Sequence, residues 1–375
     1  MRNAVRLTCV AAFVVALGSA AMAVDIETVY VGNVGNAGEW SGATAEPSGA
    51  NVGTGPFPNR ICGAVDYEYR IGKYEVTAGQ YAEFLNKVAR TDPYGLYNET
   101  MDVDSGLLSS EYGCNIKRGG SDGSYTYSVA TDWANRPVNF VGWADAARFA
   151  NWLHNGQPTG AQSAGTTESG AYDMSGTQSY YGPGGVVPFE HMSTFMDSLF
   201  AIDREADWKW AIASEDEWYK AAYYDPAASD YNDYATGSDS TPGRDMTETA
   251  NPGNNANYYG NPHPLDSPHY TTVAGEFELS AGPYGTFDQG GNIWEWNEAI
   301  MSNQRRGLRG GGHDNDVQFH DGLHAWFRHS YNPTHEDHNI GIRVVRTPGP
   351  GALILMAGGL PLLLKCRRLR LSVSS

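Results

Sequence analysis

The chain has 375 residues, with 43 acidic side chains against 25 basic ones and a formal net charge of −18. Six basic residues but no acidic ones lie outside residues 24–346, so that stretch carries about −24. Such a surface excludes nucleic acid as a partner, because phosphate binding needs a basic face. It suits solvent outside the cytoplasm and attracts cations.

Residues 1–23 read as a signal peptide. Arg2 and Arg6 precede an apolar run of about Val10 to Leu17, and Ala21-Met22-Ala23 offers an A-x-A cleavage site. The run is too short to span a bilayer. Residues 24–66 form a lead-in segment, rich in Gly, Asn and Pro from 32 to 60. Regular signals begin at residue 67. YRIGKYEVT alternates like a strand. Thr77 then caps a helix carrying Tyr81, Phe84, Leu85 and Val88. VGWADAARFANWLHNG is a second helix, with Trp143, Ala147, Ala150 and Trp152 or Leu153 at helical spacing and Gly156 as terminator. Residues from 156 to about 205 are rich in Gly, Ser and Thr and read as a surface insertion. ASEDEWYKAAYY is a third helix, opened by a capping box of Ser214 and Glu217. After Asp225 there is little periodicity. With 45 Gly, 10 Trp and 23 Tyr, the chain reads as a single-domain, loop-rich α+β fold. Cys62 and Cys114 are the only cysteines between the two ends, and either a disulfide or two free thiols fits.

The C-terminal residues 348–370 begin with a Pro/Gly break. An apolar stretch from Ala352 to Leu364 follows, then Lys365, Arg367, Arg368 and Arg370. This layout resembles the bacterial PEP-CTERM sorting signal, although Gly349 stands where that signal has glutamate. The resemblance implies transient membrane association, then cutting by an exosortase-type enzyme. A permanent anchor is the alternative.

Six segments occur in a telling order: RPVNFVGWADAARFANWLHNG, IASEDEWYKAAYYDP, NNANYYGN, GPYGTFDQGGNIWEWNEA, RGLRGGG and NIGIRVVR. Together they resemble the sulfatase-modifying-factor family of formylglycine-generating enzymes, across residues 67–346. The resemblance implies a fold related to C-type lectins and structural calcium. By that resemblance the carbonyls of Gly291 and Ile293 and the side chains of Asn292 and Glu295 hold one ion. Ala256, Asn257 and Tyr258 match a second site, with Asp266 as its downstream acid. Calcium takes several hard oxygens in a flexible shell. The alternative is an aromatic-pinned turn with Glu295 bonded to backbone N–H groups.

The family's oxidases carry two cysteines after L-R-G-G-S, which bind copper and activate oxygen. Here the loop reads LRGGGHDNDVQFHDGLHAWFRHSYNPTHEDHNIGIRVV and has no cysteine. Gly312 falls on the family's serine, and Asn315 and His320 fall on its cysteines. Arg328 and Arg343 still meet arginines. The thiolate ligands of that mechanism are missing, so a non-catalytic binding module is expected. Asn315, His320, His324, Trp326 and Arg328 form its expected ligand surface for an extracellular peptide, protein or glycan. Six of the ten histidines lie in this loop: His313, His320, His324, His329, His335 and His338. A formylglycine-generating or other metal-dependent oxidase using this histidine-rich loop is the alternative reading.

Overall fold

The computed structural model describes residues 23–41, 60–250, 252–301, 305–316 and 322–348. The signal peptide (all but its last residue), the tail beyond residue 348 and His320 lie outside the described residues. Helix α1 (Ala78–Val88) starts where Thr77 accepts from the Gln80 N–H while the Gln80 side chain accepts from the Thr77 N–H. Its buried face is Tyr81, Phe84, Leu85 and Val88, as the spacing requires. Helix α2 (Trp143–His154) is buried on every side from Trp143 to Leu153, and Gly156 follows at φ +81°. Rings from the two helices interlock, with Phe84 5.2 Å from both Phe149 and Trp152. Helix α3 spans Met192–Phe200. Helix α4 (Glu215–Tyr223) has the capping box of Ser214 and Glu217.

Two four-stranded sheets hold these helices. The first runs Thr28–Val31, Tyr69–Gly72, Val344–Arg346 and Trp210–Ile212, all antiparallel. Of the YRIGKYEVT segment, only Tyr69–Gly72 is strand. The second sheet runs His329–Tyr331, Arg305–Arg309, Trp294–Met301 and Ile340–Gly341, the last pair being parallel. It lies wholly in the region without sequence periodicity. Its longest strand, Trp294–Met301, has seven of eight residues buried or half-buried, so no alternation marks it. The fold is thus mixed helix and strand, joined by long loops. No helix among the described residues is long and apolar enough to cross a membrane.

The segment 156–205 departs from the surface reading. Thr167, Glu168, Ala171 and Tyr172 are fully buried or nearly so. Glu168 closes a buried ion pair with Arg148 of α2 at 2.8 Å, and the Asn151 side chain bonds the Tyr172 backbone in both directions. Polar composition misleads here because the polar groups are satisfied inside rather than by water.

A fully buried ion pair ties the two sheets together. Glu295, on the second sheet, accepts from Arg343 Nε at 2.9 Å and Nη2 at 2.7 Å, and from Trp218 Nε1 of α4 at 2.6 Å. Arg343 also donates to the carbonyls of Gly72 in the first sheet and Phe287 in the loop. All of these side chains are fully buried. Removing one partner strands a buried charge, so Glu295→Gln should cost about 3–5 kcal/mol in denaturant melts. A double exchange, Glu295→Leu with Arg343→Met, should recover much of that loss; a single-variant cost below about 1 kcal/mol would contradict the assignment.

Glu39 gives a pH prediction. Burial, with the Asp230 and Asp233 charges, raises its carboxyl to about 7 against the hydrogen bond from the Tyr219 hydroxyl. A raised acid stabilises the fold fully below its unfolded value near 4.5 and loses that contribution as pH climbs through 7. Thermal melts from pH 4 to 8 should therefore fall more for the wild type than for Glu39→Gln.

Candidate functional site

The turn 288–293 is built by backbone demands. Gly291 sits at φ +89°, and a Cβ there would meet the Asn257 carbonyl at 2.4 Å, so only glycine fits. The Asn292 N–H donates to that carbonyl at 2.7 Å, and the His313 N–H donates to the Asn292 carbonyl at 2.9 Å. Segments 256–258, 291–293 and 310–313 are thereby tied into one platform.

The expected calcium ligands divide on this platform. Glu295 has both oxygens engaged by Arg343 and Trp218, beside a full positive charge. It does not fit as a calcium ligand while that pair stands. Trp294 and Trp296 flank it in the core, Trp296 donating to the Val141 carbonyl. Asn292 Oδ1 accepts from the Thr272 N–H at 2.9 Å, and its Nδ2 donates to Glu75 at 3.0 Å. Ile293 is buried. Asn257 does fit. Its Nδ2 donates to the Tyr270 carbonyl, whereas Oδ1 is buried with no hydrogen-bond partner. An orphaned amide oxygen of this kind suits a hard cation. Tyr258 packs against the small cluster of Tyr234, Ala256 and Leu323 and donates to the Pro242 carbonyl. Asp266 is paired with Arg136 at 2.6 Å.

Among the described residues, the expected ligand surface is not brought together as one cleft. Asn315 clamps its own turn, Oδ1 accepting from the Gly312 N–H at 2.6 Å and its carbonyl accepting from the Tyr259 N–H. His324 lies by Asp233 and the Tyr234 ring, with Trp326 beside it. Arg328 turns inward to Glu215, bonding both carboxylate oxygens at 2.7 Å. Glu215 is also met by Arg309 at 2.8 Å and Arg60 at 2.6 Å. A cleft of about 340 Å³ opens beside this hub, lined by Arg60, Glu215, Asp216, Ile300 and Arg328.

Cys62 and Cys114 are separate, free and buried. Burial pushes both thiols up to about 11, so each stays protonated at neutral pH. Cys62 lies beside Arg309, but the Glu215 carboxylate offsets that guanidinium.

Sequence reasoning missed a ring cluster around His313. His263, from a distant segment, lies 6.0 Å away centroid to centroid, His338 lies 5.4 Å away and Tyr270 5.6 Å. Tyr112 packs at a tilt against His338, 4.8 Å between centroids. Burial, with the two histidine neighbours, lowers His313 to about 4, against the pull of Asp314. His338 is the reverse case. Burial opposes its charge, but Asp314 and Asp337 outweigh burial and hold it at about 9. No local pattern announces His263, which stands alone in a Pro-rich stretch.

Among solved structures, the chain is similar to CarF, with 19% identity and a TM-score of 0.49 over 86% of this chain and 99% of that one. It is also similar to variable protein 1 of Treponema denticola (16%, 0.44, 86% and 95%) and to PvdO from Pseudomonas aeruginosa (18%, 0.43, 86% and 94%). No curated protein matches it. The model of the sulfatase-modifying factor enzyme 1-like domain matches residues 52–348, which takes in the second sheet, all of the first but its edge strand Thr28–Val31, the Gly291 turn and the thiol-free loop, and the chain belongs to that family.

Proposed function

We propose that this chain is an exported, envelope-associated bacterial binding module that has kept the family's fold and lost its cysteine-oxidase chemistry. One observation carries this reading: Asn315, at the position of a family cysteine, serves as the clamp of its turn. Gly312 replaces the serine, and the loop offers no thiol. Cys62 and Cys114 are buried and protonated, so neither supplies the thiolate that copper needs. Export rests on the N-terminal signal sequence, and envelope association on the PEP-CTERM-like tail, with an exosortase-type enzyme as processing partner. The ligand is an extracellular peptide, protein or glycan. The kinship to C-type lectins implied by the family accords with such a role.

Calcium is the proposed structural ion, with Asn257 Oδ1 as its side-chain ligand. The ion would supply only charge and rigidity, neutralising an orphaned oxygen where three segments meet. The second reading, a metal-dependent oxidase, draws on the unpartnered imidazole of His313.

Incubation of the purified chain with copper, oxygen and a cysteine-containing sulfatase peptide should give no aldehyde by mass spectrometry. Conversion of the peptide at any rate that exceeds a protein-free control would overturn the non-catalytic reading. Chelation should lower the Tm, and calcium, but not magnesium, should restore it. Saturation at 100 times Kd stabilises by about 2.7 kcal/mol. Asn257→Ala should remove the calcium response; an unchanged response would move the ion elsewhere.

A further inference from the structure

The loop segment 333–338 docks on the start of α2 along a seam of backbone bonds. The Pro333 carbonyl accepts from the N–H groups of Trp143 at 2.9 Å and Ala144 at 3.4 Å. The Asp337 carbonyl accepts from the Phe140 N–H at 2.9 Å, and the His338 carbonyl from Asn139 Nδ2 at 2.6 Å. In the middle of this seam the carboxyls of Glu336 and Asp145 are hydrogen-bonded to each other. Both crowd the same backbone: a Cβ on Gly142 would lie 3.1 Å from Asp145 Oδ2 and 3.6 Å from Glu336 Cγ. Asp145 is buried and Glu336 half-buried. Two carboxyl groups bond in this way only by sharing a proton.

The surroundings do not supply a positive charge in its place. Arg148 attracts Asp145 but is already held by Glu168 at 2.8 Å, and Asp92 adds a further carboxylate. Asn98 donates to Glu336 Oε2, and the Gly142 N–H donates to Asp145 Oδ2 at 3.0 Å. The Tyr81 and Tyr181 hydroxyls stand in the field of Asp145. On the segment itself, His335 and His338 are engaged by Asp337 at 3.3 and 2.6 Å. A helix N-terminus favours one carboxylate at such a place; a second, unpaired one repels it. Burial pushes both carboxyls up, Glu336 with the further push of the Asp145 charge.

We propose that Glu336 and Asp145 form a proton-held latch, which closes segment 333–338 on α2 and opens when the shared proton is lost. The proton leaves to solvent past half-buried Glu336, and the two carboxylates left behind repel. The latch reaches the loop turn through Asp314. Asn339 Nδ2 donates to both Asp314 oxygens at 3.0 Å, and His338 Nε2 lies 3.3 Å from Oδ2. Asp314 sits inside the turn that Asn315 clamps. Opening the segment withdraws these bonds, so the turn 312–315 loosens with it. Raised acids stabilise the closed form fully below their unfolded values, and that contribution is lost as pH climbs through the raised ones. The latch is therefore closed in acid and open in alkali. His338, which Asp314 and Asp337 hold charged up to about 9, loosens the same segment in the same direction. The latch goes beyond the binding-module reading, and its readout needs no ligand.

The test is hydrogen exchange of the full chain from pH 6 to pH 10, read by mass spectrometry and corrected for the intrinsic rate. Protection of the amides in 312–315 and 336–340 should fall at least about tenfold over this range, while strand Arg305–Arg309 keeps its protection. Glu336→Gln and Asp145→Asn each replace the shared proton with amide hydrogens, which bond the remaining carboxylate at any pH. Each variant should remove most of the loss, and if one fails to fold the other reads the same bond. Both variants keep His338, so whatever loss they share with the wild type belongs to that ring. The proposal is overturned if the wild type loses no protection, or if wild type and variants lose it in parallel. It falls equally if His338→Gln alone abolishes the loss.

Discussion

The Glu295–Arg343 pair is the constraint on which this architecture depends. Neither sheet has much of its own to hold it: most strands are two to five residues long, and strands that short need packing partners. A guanidinium that bonds a carboxylate on one sheet, a carbonyl on the other and a carbonyl in the intervening loop fixes three segments with one side chain. Its planar fork suits that task where a lysine's single point of charge would not. Complete burial and the Trp218 indole, which donates to Glu295, keep water from the pair. They thereby strengthen the attraction and make any unpaired remainder costly.

A second pair of this kind stands at the thiol-free loop. Glu215 opens α4 and gathers Arg60, Arg309 and Arg328, so its carboxyl stays ionised although fully buried. The loop that carries catalytic thiols in the family is here anchored by Arg328 at one side and by the Asn315 clamp at the other. These anchors hold a backbone shape without supplying a nucleophile. That separation of scaffold from chemistry is why family membership and activity are argued from different residues.

What could be read from the sequence was what local chemistry dictates. Thr77, Ser214 and Gly156 mark helix ends because capping satisfies orphaned N–H and C=O groups within three or four residues. The Gly-Asn turn was legible because only glycine tolerates φ +89° against the Asn257 carbonyl. What escaped was long-range. The second sheet has no alternation because both faces of its central strand are covered. Residues 166–172 look like surface because nothing in their composition reveals that Arg148 and Asn151 await them. Glu295 was legible as a special carboxylate, but its arginine partner lies 48 residues away, so the local letters suggested calcium or backbone N–H groups in its place.

The histidines make the same point at the level of function. Six of them cluster in sequence, yet the fold disperses that cluster. His324 goes to Asp233 and His329 packs under Trp294. His335 stacks on Tyr331. Among the described residues of the loop, only His313 and His338 stay in ring contact, and the third ring comes from 50 residues upstream of His313, in a segment with no other histidine within five positions. Asp314 and Asp337 bond the charged ring of His338, whereas no carboxylate bonds the neutral ring of His313. Packing alone would favour apolar side chains at a fully buried site. A buried imidazole with both nitrogens unspent is costly unless something binds it, and that cost, rather than the number of histidines nearby in sequence, distinguishes a site from a surface.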